Sequence, residues 1–383
     1  MKPGPTSPHF PWRSGNRFEL LINGDAFFPA MLVAIALAER SVCLEMYLME
    51  SGRIADDFIR RLVAAAGRGA EVRLLLDDFG ALGLSKRDRT RLQAAGVGLA
   101  FYNPLRVFKA GRNLFRTHRK LLLVDDTLAF VGGAGITDQF AGEGAWRETM
   151  VQIRGPVVAD WRQLFEHNWA YWMESTPPPP PPLPAALAQG QRGRVACNKG
   201  ESHGEIKRDF LHRLRQARRR LWLATAYFVP SRKVRRGLRR AARRGMDVRL
   251  LLPGPLTDHP AVRYASHRYY ARLLRHGVRI FEYQASFMHT KVTLVDQWVS
   301  IGSSNLDRWN LRWNLEANQE IDDPRFADKV GEMLDADLER CREITYEQWR
   351  RRSRLQRTKE WFWGKLELRL ARLHLHDRRE PPP

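Results

Sequence analysis

Cysteine is scarce in this chain. Cys43, Cys197 and Cys341 are the whole supply in 383 residues, an odd number set far apart with no C-x-x-C pair. Neither a disulfide framework nor a zinc site is suggested by them, and the chain reads as cytoplasmic. Long apolar runs are also missing. The longest, Ala26 to Ala38, has 13 residues, short of the roughly 18 to 20 that span a bilayer. No transmembrane helix is predicted. Met1 to Arg17 carries Pro, Arg and His without an apolar stretch, so no cleaved secretion signal is visible. Negative charge is the third shortage: 42 Asp and Glu face 64 Lys and Arg, a net +22. A polyanion is the natural partner of such a surface, and charge alone does not choose between nucleic acid and the anionic face of a membrane. What is present is core material. At 44% apolar and 10% aromatic residues the chain can fill two ordinary domains, which excludes a disordered tail.

The chain is organised by an internal repeat. Ala65 to Leu76 (AAGRGAEVRLLL) is echoed by Ala241 to Leu252 (AARRGMDVRLLL). In each copy a helical pattern stops at a glycine, Gly69 or Gly245, and passes into a Val/Leu run of buried-strand type. Arg40 to Tyr47 is likewise echoed by Arg220 to Tyr227, and Gly96 to Tyr102 by Gly277 to Tyr283, in the same order. Strands alternating with helices at this spacing predict an α/β protein of two pseudo-symmetric lobes, each a mixed sheet covered by helices. Six consecutive prolines, Pro177 to Pro182, form a stiff extended linker. The expected organisation is an N-terminal lobe over residues 1–175, a linker over 176–190, a C-terminal lobe over 191–345 and a basic amphipathic tail over 346–383.

One pattern occurs once per lobe. His118, Lys120 and Asp125 read H-x-K-x-x-x-x-D, and so do His289, Lys291 and Asp296. Residues two apart on a strand share a face, so an imidazole and an ammonium project together while the apolar residues behind them anchor the strand. A small-residue turn follows each: Gly132-Gly133-Ala134-Gly135 and Gly302-Ser303-Ser304-Asn305. Such turns let backbone N–H groups approach an anion, which makes Ser303 and Asn305 candidate phosphate contacts. Glu148 and Glu316 come next, and each lobe is expected to supply the carboxylate that fixes its own histidine's tautomer. A lone H-x-K is a weak signal, but two copies in register with a structural repeat are a strong one.

These residues resemble the phospholipase D superfamily, whose signature is a pair of H-x-K-x4-D motifs, each followed by G-[GS]-x-N. The stretches GNRFELLINGDAFFPAMLVAI, HRKLLLVDDTLAFVGGAGI, WRET, AYFVP and HTKVTLVDQWVSIGSSNLDRWNLRWNLEAN narrow the likeness to bacterial cardiolipin synthases of the peripherally bound type. One departure stands out: Gly135 occupies the place of the family asparagine that Asn305 keeps in the second lobe.

The resemblance implies an active site at the lobe interface and a phosphatidyl transfer through a phosphohistidine, with His118 as nucleophile and His289 as acid and base. Lys120, Lys291 and Asn305 would hold the non-bridging oxygens. Asp125 and Asp296 complete the motifs, though they follow buried strands. No metal or cofactor is called for. The donor would be phosphatidylglycerol and the acceptor a second phosphatidylglycerol or phosphatidylethanolamine, at an anionic membrane containing phosphatidylglycerol and cardiolipin, peripherally on the cytoplasmic face. Two segments suit a lipid surface: Pro104 to Arg119, and Trp349 to Arg379 with Trp361-Phe362-Trp363 and Leu355, Leu366, Leu370 and Leu373. The second can equally pack on the C-terminal lobe. The alternatives are a hydrolytic phospholipase D or a nucleic-acid phosphodiesterase using the same two histidines. Nucleic acid is the less suited substrate, since no aromatic and basic stacking platform is evident.

Overall fold

The computed structural model describes residues 9–105, 115–199, 203–305, 307 and 314–353, together with 355, 358, 360, 362 and 363. The first half runs β1 (Arg13–Ile22), α1 (Gly24–Ala36), β2 (Ser41–Met46), α2 (Arg53–Gly67), β3 (Glu71–Asp77), α3 (Lys86–Ala94), β4 (Gly98–Tyr102), β5 (Lys120–Val124), β6 (Leu128–Gly132), β7 (Thr149–Arg154) and α4 (Val157–Trp172). The second half opens with β8 (Gln191–Lys199), β9 (His203–Gly204), α5 (Glu205–Gln216), β10 (Arg220–Ala224), α6 (Arg232–Arg243), β11 (Asp247–Pro253), α7 (Pro260–Leu274) and β12 (Arg279–Tyr283). It closes with β13 (Val292–Val295), β14 (Trp298–Gly302), β15 (Leu315–Asp322), α8 (Pro324–Glu339), β16 (Cys341–Ile344) and α9 (Tyr346–Arg350).

The repeated helix-to-strand unit folds as its glycines dictate. Gly69 and Gly245 sit at φ +96° and +85°, a conformation that costs a residue with a Cβ. The turns there let Ala70 N–H reach back to Ala65 and Met246 N–H to Ala241, closing each helix end before the strand begins. Within each half the order is the same, β4-β3-β2-β5-β6-β7-β1 and β12-β11-β10-β13-β14-β15-β8. The first three strands of each are parallel and the others antiparallel. The halves do not keep two separate sheets. Corresponding strands β1 and β8 pair antiparallel, so the two sheets join into one continuous path, and each covers the other's open edge.

Side-chain alternation divides the core into layers. On β5, Leu122 and Val124 face the outer layer under α1 and α2, while Leu121 and Leu123 face a central core between the halves. That core is filled by Trp161 and Phe165 of α4 and by Phe326 and Leu334 of α8. A third layer packs α5, α6 and α7 on the second half. Residues 177–182, the proline run, form neither helix nor strand. Trp349 packs on Tyr270 of α7, with ring centroids 4.7 Å apart, and buried Glu360 bonds to Arg352 and faces His267. The described part of the tail thus lies on the C-terminal half. Most of Pro104 to Arg119, and Trp361, Leu366, Leu370 and Leu373, fall outside the described residues.

Candidate active site

Each histidine enters the site just ahead of its motif strand, held by backbone from the other half. Thr117 bridges to Leu315 and Arg147 to Met288. His118 N–H donates to Leu315 O and His289 N–H to Arg147 O, each at 2.9 Å. The segment before β7, at Arg147, and the first residue of β15, Leu315, therefore clasp the opposite motif, and the next residue in each case is a glutamate. Arg147 locks the clasp with a two-toothed ion pair to Asp337 of α8, both contacts at 2.8 Å.

The consequence is a crossed arrangement. Nδ1 of His118 lies 3.1 Å from Glu316, and Nδ1 of His289 lies 2.6 Å from Glu148. This corrects the expectation that each lobe serves its own histidine: the clasping segments deliver each glutamate across the interface. With Nδ1 turned to a carboxylate, the proton resides there. Neither Nε2 has a hydrogen-bond partner among the described residues, so each ring presents a bare lone pair. Both rings line one cavity of about 490 Å³, which Lys120 also reaches.

Burial sets the charge states. It pushes His289 down to about 3, aided by Lys291 and opposed by Glu148. His118 is likewise lowered by burial, with Lys120 adding to it and Glu316 resisting. Lys120 falls to about 7 through burial, and Lys291 is lowered for the same reason. Burial opposes ionisation of Glu148, but Lys291 and His289 outweigh it and hold the carboxyl low. The site thus holds neutral imidazoles beside two buried amines whose charge an arriving anion favours.

Other expected residues fall into place differently. Ser303 does not face a substrate: its hydroxyl donates to Glu316 and its carbonyl lies 3.1 Å from His118 Nδ1. It steadies the glutamate. Asn305 is fully buried, with Oδ1 accepting from Thr225 and from Tyr227 N–H, while its Nδ2 lacks a partner among the described residues. Asp125 and Asp296, the acidic residues that complete the motifs, do not line the cavity of the histidines. Each adopts positive φ and accepts three backbone N–H groups, from Glu39, Arg40 and Ser41 or from Arg218, Arg219 and Arg220. They tie the start of β2 or β10 to the motif hairpin.

Two glycines are fixed by sterics. A Cβ on Gly133 would come within 2.2 Å of Glu148 Oε2, and one on Gly135 within 2.8 Å of both Cβ and O of Leu48. The first half has no room for the asparagine of the second.

Several site residues escaped the sequence reading. Tyr47 sets its ring 4.9 Å from His118, and Lys120 Nζ lies 5.0 Å from the centre of the same ring. Trp146, Phe140 and Phe287 surround His289. Buried Asp77 accepts Thr117 N–H at 2.9 Å, fixing the residue before His118. Its one signal was that the repeat ends in Asp77 where the second copy has Pro253.

Duplicated α/β halves that bring paired H-x-K motifs to a shared cavity define a phospholipase D-like protein. The family model described as cardiolipin synthase, PLD-like domain, matches residues 31–169 and 210–338, and the chain belongs to that family. It is 36% identical to cardiolipin synthase A of Pseudomonas putida over 96% of this chain and 76% of that protein. It is 35% identical to cardiolipin synthase A of Pseudomonas aeruginosa over 95% and 74%. Among solved structures, phosphatidylserine synthase of Haemophilus influenzae shares the fold, with a TM-score of 0.73 at 15% identity over 95% of each chain.

Proposed function

We propose that this protein is a cardiolipin synthase that transfers a phosphatidyl group from phosphatidylglycerol to the hydroxyl of a second phospholipid. The observation that carries the reading is the crossed pair: two neutral histidines in one cavity, each with Nδ1 against a buried carboxylate from the opposite half. Membership of a family whose relatives are cardiolipin synthases agrees with it.

A phosphodiester resists anionic nucleophiles, so a neutral imidazole is the suitable attacker. The substrate's charge between the rings favours protonation of one of them, which supplies the acid. Nε2 of His118 attacks phosphorus as the P–O bond to glycerol breaks, and His289 gives its proton to the departing alkoxide. Neutral again, His289 takes the proton of the incoming hydroxyl, whose oxygen displaces His118 from phosphorus. Glu316 and Glu148 stabilise whichever imidazolium is present, and Lys120 and Lys291 stabilise the charge that grows on the non-bridging oxygens.

Association with an anionic bilayer suits this substrate. One helix favours it: α6 exposes Arg232, Lys233, Arg236, Arg240 and Arg243, each worth about 1 kcal/mol at an anionic surface. The cytoplasmic face and the peripheral mode are part of the same proposal.

Product analysis tests the reading. Wild-type protein with phosphatidylglycerol vesicles is expected to yield cardiolipin and glycerol, and the His118→Ala and His289→Ala variants neither. Phosphatidic acid in place of cardiolipin would make the protein a hydrolase.

A further inference from the structure

One wall of the catalytic cavity carries a group that chemistry at phosphorus does not use. Asp258, in the connection from β11 to α7, lines the space shared by His118 and His289. Its Oδ2 accepts the Tyr227 hydroxyl, and Nε2 of His259 stands 3.7 Å from the same oxygen. Oδ1 has no hydrogen-bond partner among the described residues. Buried Asp307 lines the same side.

A fixed negative charge beside a phosphodiester repels it. In a chain with 64 Lys and Arg, a carboxylate in this position serves a different part of the substrate. Carboxylates recognise donors, either hydroxyl or ammonium. Asp258 lies near enough to Lys291 to favour that lysine's protonated form, and the His259 ring is beside it. The glycerol headgroup of a phosphatidylglycerol donor supplies hydroxyl donors of this kind. Tyr227 stays a phenol, since burial, reinforced by Asp258, raises its ionisation far above the ordinary range. Its hydroxyl orients the carboxylate and keeps an oxygen lone pair for a second donor.

The pseudo-twofold symmetry breaks here. Tyr47, which occupies the repeat position of Tyr227, has no hydrogen-bonded carboxylate among the described residues and instead sets its ring at a tilt beside His118 and under Lys120. The first half contributes Leu48, Gly133 and Gly135 to the cavity. One side of a site with two near-equivalent histidines is thus furnished for an alcohol.

We propose that Asp258 and Tyr227 form a polyol subsite, which binds the glycerol hydroxyls of the headgroup exchanged at phosphorus. This rests on the phosphatidyl-transfer reading above. The subsite lets the enzyme distinguish a glycerol headgroup from a simple alcohol or water without altering the histidine chemistry.

The test is alcohol exchange by the full chain on vesicles carrying a phosphatidyl ester of p-nitrophenol, a donor with no glycerol in its headgroup, with labelled glycerol or 1-propanol as acceptor, for wild type, Asp258→Asn and Tyr227→Phe. The expected result is that KM for glycerol rises about tenfold in both variants as a hydrogen bond to the headgroup is lost, while use of 1-propanol is unchanged. The propanol arm also shows that each variant is folded. Equal losses with both alcohols, or no change with glycerol, would overturn the subsite. Wild type that exchanges neither alcohol would overturn the transfer reading, and the subsite with it.

Discussion

Glu148 belongs to the first half of the chain, yet its carboxylate lies 2.6 Å from Nδ1 of His289 in the second. Glu316 makes the reciprocal contact with His118. Neither half holds a working histidine alone, so the interface between them is a condition of activity as well as of folding.

Replacing Glu148 or Glu316 by Gln keeps the shape of the contact but removes the charge that stabilises an imidazolium. Each change should lower kcat by roughly a hundredfold, the loss typical of a group that orients a catalytic ligand. KM and thermal unfolding should change little. Steady-state kinetics on phosphatidylglycerol vesicles, with a melting curve, checks both parts.

The pH profile follows from the buried amines. Lys120, pushed by burial to about 7, is charged below that pH and neutral above it, so kcat/KM should fall on the alkaline side with an inflection near 7. His118, the nucleophile that must be neutral, is lowered by burial, so any acid limb lies below the ordinary imidazole range. A Lys120→Arg variant keeps its charge at every working pH and should lose the alkaline inflection. An inflection that survives in the variant assigns it to another group.

Asp125 should prove to be a folding residue. Burial opposes its ionisation, but the N–H groups of Glu39, Ser41 and Arg40 outweigh it and hold the carboxyl below its usual range. Its contribution is therefore complete above about pH 4, the ordinary value of the unfolded chain, and is lost as acid protonates it. Asp125→Ala should cost about 1 kcal/mol at neutral pH after solvent screening, and the difference from wild type should vanish in acid. Denaturant melts at the two pH values test this, and kcat should stay within a few-fold of wild type, unlike His118→Ala.

Restoring the family asparagine at Gly135 should not improve the enzyme. Leu48 occupies the space a side chain needs there, so Gly135→Asn should destabilise the fold by about 1 to 3 kcal/mol through overpacking. A melting temperature equal to that of wild type would show that Leu48 yields.

Much of this was legible in the residues. The duplicated AAGRGAEVRLLL and AARRGMDVRLLL units implied two α/β halves, because a C-capping glycine and a Val/Leu run encode a helix stop and a buried strand locally. The histidines and lysines stood out because the motif is contiguous. The crossing of Glu148 and Glu316 was not legible, because pairing of Thr117 with Leu315 and of Arg147 with Met288 depends on tertiary contacts across some 140 to 200 residues that no local period records. For the same reason Ser303 reads as a phosphate contact in the sequence, whereas its hydroxyl meets Glu316. Joining of the sheets through β1 and β8 was equally hidden, since each strand reads as an ordinary edge.

The central claim is covalent transfer through one histidine with the other as acid and base. A phosphatidyl ester of p-nitrophenol has a leaving group that needs no acid, which separates the two roles. Mixed with His289→Ala, it should release one equivalent of nitrophenolate in a burst and leave a phosphatidyl group on Nε2 of His118, found by mass spectrometry after a rapid quench. His118→Ala should give no burst and no adduct. A burst and adduct in His118→Ala, with none in His289→Ala, would reverse the assignment, and the absence of an adduct in both variants and in wild type would contradict the account.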